Sequence, residues 1–117
     1  MGIYNCAATL SEALDSLINQ TYKSFKIILC DDGSSDNTYQ IAKRYADKYD
    51  NIILIKNERN MKLAATLNHC LKYADTEYIA RMDGDDISLP TRFEKEINFL
   101  DAHPEYALVS CPMIHFD

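Results

Sequence analysis

Glycine is scarce in this chain, with three residues in 117. They stand apart as Gly2, Gly33 and Gly84, so neither a G-x-G-x-x-G fingerprint nor a P-loop can be written. A small anionic ligand would have to be held by a metal or by side-chain cations, because no Gly-rich motif offers a nest of backbone amides to cradle it. The four cysteines, Cys6, Cys30, Cys70 and Cys111, never form a C-x-x-C pair, which removes zinc and dithiol redox motifs. Cys30 lies in an apolar run, where a free thiol behaves as a small hydrophobe, and a reducing, cytoplasmic compartment is expected. Positive charge is short as well. The net charge is −6 and no run of five basic residues occurs, which argues against a nucleic-acid partner gripped through its phosphates. No apolar stretch approaches the ~20 residues of a membrane span, and no signal peptide is visible in this segment.

What is present reads as one globular domain, with 47% hydrophobic and 26% charged residues. From Thr9, Leu10, Ala13, Leu14, Leu17 and Ile18 recur at helical spacing. Lys26–Cys30 is a short apolar run that stops at Asp31 and predicts a strand buried on both faces. The turn Asp32–Asn37 leads to a helix carrying Ile41, Ala42, Tyr45 and Tyr49, and Ile52–Ile55 predicts the next strand. A third helix is expected over Leu63–Tyr73, with Leu63, Leu67, Cys70 and Leu71 on its apolar face. Tyr78–Met82 predicts a strand, Thr91–Ala102 a helix stopped by Pro104, and Ala107–Cys111 a last strand. Met1–Asn5 reads as the end of a first strand whose body is absent, so the chain is expected to be truncated at both ends.

Alternating strands and helices imply an α/β fold, a Rossmann-like, mostly parallel sheet with helices on both faces. Right-handed crossovers then bring every strand's carboxyl end to one edge, where open α/β sheets bind ligands. Asp31-Asp32, Asn57–Asn60 and Asp83–Asp86 each follow a predicted strand, so these polar residues are expected to share one rim.

The densest of these groups is Asp83-Gly84-Asp85-Asp86. Two like charges ~4 Å apart at an effective dielectric of ~20 repel by roughly 4 kcal/mol, so a cation, a proton or open water must relieve them. Hard divalent ions suit carboxylate oxygens and leave positions open for phosphate. The competing reading is an acidic loop entering a helix, with Asp86 or Ser88 as cap and Pro90 in the first turn.

Taken in order, Tyr4-Asn5, Asn19–Tyr22, Asp31–Thr38, Asn60 with Ala64 and Asn68, and Asp83–Asp86 with Pro90 and Arg92 resemble the family 2 glycosyltransferases. These are inverting enzymes of the GT-A fold that use nucleotide-sugar donors. The resemblance covers essentially the whole chain, as the donor-binding part of such a domain. It implies that Tyr4 lies against the nucleobase and that Asp32 accepts the imide N–H of uracil, which cytosine lacks. Asp31 is assigned to the turn. Asp83 and Asp85 match the family's D-x-D motif, which implies a divalent metal, Mn²⁺ or Mg²⁺, on Asp85, with Asp83 on the ribose or sharing the ion.

Lys62 is a candidate second cation for the diphosphate, at a point where the family commonly has glycine, and its competing reading is a solvated lysine. Arg59 and Arg81 are weaker candidates of the same kind, and Arg92 is expected to pair with the acidic loop. His69, His103 and His115 show no ligand spacing and receive no role. The resemblance places the general base and the acceptor surface beyond the donor half. It implies a glycan or lipid-linked acceptor and a parent protein at the inner face of the membrane.

Other classes fit less well. A receiver domain would need an aspartate after Ile52–Ile55, where Lys56-Asn57 stands. An aspartyl phosphatase would need Thr or Val two residues beyond Asp85, and a calcium loop from Asp83 fails on Ser88 and Pro90. A non-catalytic metal- or nucleotide-binding module remains open. Exposed strand edges left by a missing first strand lead to an expectation of self-association.

Overall fold

The computed structural model describes residues 1–115. Three strands, β1 (Gly2–Ile3), β2 (Ile27–Asp31) and β3 (Ile52–Lys56), form a parallel sheet in that order. Helices α1 (Leu10–Ile18) and α2 (Thr38–Lys48) follow β1 and β2, and α3 (Leu63–Leu71) and α4 (Arg92–Ala102) follow β3. Register is fixed by Gly2 opposite Cys30 and Ile27 opposite Ile52.

Side-chain parity along β2 assigns the two faces. Ile27 and Leu29 join the core cluster with Leu10, Ala13, Leu14 and Leu17 of α1 and Ile41 and Ala42 of α2. Cys30, of opposite parity, meets His69 of α3, with its Sγ 3.7 Å from Nδ1. The sheet is therefore covered on both faces, as the alternation implied. Each fully buried leucine contributes roughly 1.5–3 kcal/mol, so the α1 stripe is the main anchor of that face. Phe93 of α4 closes the core edge-on to Phe25, with ring centroids 5.1 Å apart.

Two predicted strands do not form. Tyr78–Met82 and Ala107–Cys111 make no ladder. An apolar run becomes a strand only where a neighbouring edge can pair with it, and β1 offers two residues. Tyr78–Met82 meets the core only at its end, where Met82 is buried while Ile79 remains 62% exposed. Leu108 is 80% exposed and has joined no apolar surface.

The face of α3 also differs from expectation. Its buried residues are Thr66 and Cys70, while Leu63 and Leu71 are exposed. The reason is local: α3 packs on β1 and β2 with Thr66 beside Asp32 and Asn57, so a hydroxyl faces inward where a leucine would find carboxylate and amide. Helix α4 begins at Arg92 after Thr91, so neither Asp86 nor Ser88 caps it.

Candidate functional site

Parallel pairing delivers the ends of β1, β2 and β3 to one edge, and backbone bonds lock them there. Asp32 N donates to Ile3 O at 2.9 Å, and Asn57 N donates to Asp31 O at 2.8 Å. Asp31 shapes the turn as expected, its Oδ2 accepting Ser34 N at 3.2 Å, while its buried Oδ1 has no partner among the described residues. Gly33 has φ +76°, and a Cβ there would lie 3.1 Å from the backbone of Arg59 and Asn60. Only glycine permits that left-handed geometry and that approach together. The loop after β1 is tied down in turn. Asn5 Oδ1 accepts Ser35 N at 2.8 Å, and Cys6 N donates to Thr38 Oγ1 at 2.8 Å.

Asp32 is the node of the rim. Its Oδ1 accepts Asn57 Nδ2 at 2.8 Å and Met61 N at 2.7 Å, and its Oδ2 accepts Lys62 N at 3.0 Å. A carboxylate has about four lone-pair sites, so these three bonds leave one, and the Thr66 hydroxyl stands beside it as a fourth donor. Burial pushes the Asp32 carboxyl upward, but donors from Met61, Asn57, Thr66 and Lys62 outweigh it and hold the pKa below the ordinary value. Asp32 is thus an ionised, acceptor-only group despite being only 4% exposed.

Beside it opens a cleft of about 250 Å³ lined by Tyr4, Asp32, Asn60, Lys62, Leu63 and Thr66 among others. Tyr4 is half exposed there, with ring surface available for stacking. Lys62 has φ 70° and ψ 163°, a region that is essentially glycine's alone. Its backbone is held in that conformation by its N–H on Asp32 and by Thr66 N donating to its carbonyl at 3.1 Å. The departure from glycine noted in the sequence is therefore a strained position as well.

The acidic loop stands next to this cleft rather than in its wall. Thr9 Oγ1 donates to Gly84 O at 2.9 Å, and a Cβ on Gly84 would lie 2.7 Å from Cys6 Sγ and 3.4 Å from Ile3 Cγ2. Gly84 thus lets the loop press onto the end of β1. Downstream, the buried Gln20 holds the chain by donating to Leu89 O at 2.8 Å and accepting Phe93 N at 3.1 Å. Asp85 and Asp86 are exposed, while Asp83 pairs with Arg81 at 3.2 Å. Arg92 does not reach the loop. It bonds Glu96 at 3.0 Å, Ser88 Oγ at 3.0 Å and Arg81 O at 3.2 Å, because those acceptors lie within one helical turn or behind it.

Among the described residues no cluster of three His, Cys, Asp or Glu side chains could hold a metal ion. The donor set nevertheless suits a hard cation that keeps most of its positions for water and phosphate, because Asp85 is open to solvent and carboxylates offer hard oxygen. Tyr4, Asp32 and Lys62 therefore share one cleft, and Asp83 and Asp85 border it across Ile3 and Cys6. Asn57, expected on the rim, does organise Asp32, together with Thr66, which the sequence did not single out, and His69, which it gave no role. The signal available was Asn57 at the end of a predicted strand with Thr66 and Cys70 one turn apart on the next helix.

The whole chain, residues 1–117, matches the family described as Glycosyl transferase family 2. The chain belongs to that family. It is 53% identical over 118 residues to EpsE of Bacillus subtilis (strain 168), whose name assigns it to the glycosyltransferases, covering 100% of this chain and 42% of EpsE. It is 39% identical over 98 residues to WfaP of Escherichia coli, named as a UDP-Glc:alpha-D-GlcNAc-diphosphoundecaprenol beta-1,3-glucosyltransferase, covering 84% of this chain and 38% of WfaP. Among solved structures, Staphylococcus aureus TarS 1-349 in complex with UDP superposes with a TM-score of 0.81 at 29% identity, covering 88% of this chain and 31% of that one. The mannosyltransferase PcManGT of Pyrobaculum calidifontis, in complex with GDP-Man and Mn²⁺, gives 0.77 at 25% identity, covering 85% and 30%. The fold is that of the GT-A glycosyltransferases. The chain spans less than half the length of either curated relative.

Proposed function

We propose that this family 2 chain forms the donor half-site of a cytoplasmic, inverting glycosyltransferase that takes a UDP-sugar. In this reading the sugar passes to a hydroxyl of a glycan or lipid-linked acceptor. The observation that carries the reading is the meeting of Tyr4, Asp32 and Lys62 in one cleft bordered by the Asp83–Asp86 loop. Tyr4 offers a face on which the base stacks, worth roughly 1–3 kcal/mol. The imide N–H of uracil takes the lone pair of ionised Asp32 that the Thr66 hydroxyl otherwise faces. Lys62 supplies a cation at the mouth of the cleft, and among the described residues its ammonium has no carboxylate partner.

Asp85, with Asp83, would hold a divalent metal. When bound, that ion supplies Lewis-acid neutralisation of the departing diphosphate. Arg81 balances Asp83 until then and keeps the loop from repelling itself apart. None of these residues is assigned as the general base. The UDP-bound TarS and the UDP-Glc named for WfaP support a uridine donor, whereas PcManGT carries GDP-Man.

Calorimetry with UDP, CDP and GDP, each with and without Mn²⁺, tests the reading. A metal-dependent preference for UDP is expected. Equal affinity for all three, or tighter GDP, would overturn the assignment of Asp32.

A further inference from the structure

The amide of Asn57 is buried and makes four polar contacts. Its Nδ2 donates to Asp32 Oδ1 at 2.8 Å and to Thr66 Oγ1 at 3.0 Å, while its Oδ1 faces His69 Nδ1 at 2.8 Å and Cys30 Sγ at 3.5 Å. The direction of the chain of bonds follows from chemistry. Ionised Asp32 accepts only, so the NH₂ end of Asn57 must face it and the carbonyl end must face His69. His69 is then the donor, which requires its proton on Nδ1. The Cys30 thiol stays protonated, because burial pushes its pKa up to about 12, but it is a weak donor. His69 is therefore the group that fixes which way the Asn57 amide points.

We propose that His69 and Asn57 are positioning residues that aim Asp32 at the nucleobase, so that the Nδ1–H tautomer of His69 helps to set selectivity for uridine. The inference rests on the donor reading above, with Asp32 as the base-reading group. If His69 cannot donate, the Asn57 amide loses the preference that keeps its NH₂ on Asp32. A turned amide would present a carbonyl to the carboxylate, and Asp32 would no longer be held in its orientation toward the cleft. Binding of UDP then falls, whereas CDP, whose ring N3 accepts rather than donates, has no imide N–H bond to Asp32 to lose.

Two measurements test this. Long-range proton–nitrogen NMR of the unaltered chain at about pH 8, where an ordinary imidazole is neutral, is expected to show His69 protonated on Nδ1. A proton on Nε2 alone overturns the relay without any ligand. Calorimetry of His69→Leu is expected to show UDP affinity and the UDP-to-CDP ratio lowered roughly 2- to 10-fold, the range that one neutral hydrogen bond is worth. His69→Asn, whose amide N–H falls where Nδ1 stood, restores the ratio, and His69→Gln, which places its donor near Nε2, does not. A native preference for UDP that survives His69→Leu overturns this inference alone. A native chain without that preference overturns the donor reading and the inference together.

Discussion

Replacing Lys62 with glycine separates what its backbone costs from what its side chain does. At φ 70° and ψ 163° the residue occupies a conformation that costs a non-glycine residue about 1–3 kcal/mol. Every native backbone bond is available to glycine, since Asp32 accepts the residue's N–H and Thr66 donates to its carbonyl. Against the relief stands the larger entropy that glycine loses on folding, about 0.5–1 kcal/mol. Lys62→Gly is therefore expected to be more stable by about 0.5–2 kcal/mol. For a chain of 117 residues, unfolding entropy near 2.1 cal/mol/K per residue makes each kcal/mol worth about 4 °C in Tm. Lys62→Ala keeps the strain and loses the ammonium, so it should melt near the native chain while binding UDP as weakly as the glycine variant. Urea titration and calorimetry on the three chains decide the matter. A glycine variant no more stable than the alanine variant would refute the strain, and undiminished UDP affinity in both would refute the role of the ammonium.

Four further outcomes follow from the same geometry. Asp32→Asn turns an NH₂ onto Lys62 N or Met61 N and is expected to cost ~2–4 kcal/mol in urea titration, because one bond to a charged acceptor is lost and a donor is left unpaired; a loss under 0.5 kcal/mol would count against the node. Gly84→Ala forces Cys6 Sγ from the 2.7 Å approach and should cost about 1–3 kcal/mol, most of it recovered by adding Cys6→Ala; no recovery would place the strain elsewhere. Asp32 and Asp36 have folded pKa values below the ordinary carboxylate value: for Asp32, donors from Met61, Asn57, Thr66 and Lys62 outweigh burial, and for Asp36 bonds from Thr38 and Ala7 dominate. Their stabilisation is full above the unfolded pKa near 4 and lost as pH falls through the folded values, so a urea midpoint unchanged from pH 7 to pH 2 would contradict it. The outer edges of β1 and β3 carry no ladder partner among the described residues, so the isolated chain is expected to self-associate, and a sharp monomer by light scattering at high concentration would refute this.

Periodicity made much of the fold legible. Leu10, Ala13, Leu14 and Leu17 fall on the buried side of α1 as read, and β2, β3 and α4 begin and end within a residue or two of their predicted bounds. Tyr78–Met82 was misread because apolarity is a property of the segment, whereas a ladder is a property of two segments. Within the site, Asp32 and the D-x-D residues were visible because each carries a charge at the end of an apolar run. Asn57 was legible on the rim, but its bonds to Thr66 and His69 were not, since none of the three is charged or spaced as a ligand. Their meeting depends on α3 packing back against β1 and β2, which no local pattern records. His69 shows the gap best: it ligates nothing, yet its Nδ1 lies 2.8 Å from the amide that orients Asp32.

The two halves of the rim are built on opposite principles, and a donor site needs both. Around Asp32 the polar groups are buried and nearly saturated, so the acceptor is held in place before a base arrives and little ordering remains to be done on binding. Around Asp85 the carboxylates are exposed or half-buried and lightly held, with Arg81 against Asp83 the one ion pair of the loop among the described residues. A base is flat and always the same shape, so a rigid reader suits it. A diphosphate and its counter-ion exchange water for protein oxygens as they arrive and leave, which a saturated pocket would resist. Gly84 joins the halves, because its lack of a side chain lets the loose acidic loop rest directly on Ile3, whose carbonyl in turn fixes Asp32. In the donor site proposed above, the order of rigidity along the rim would therefore run from the nucleobase toward the sugar.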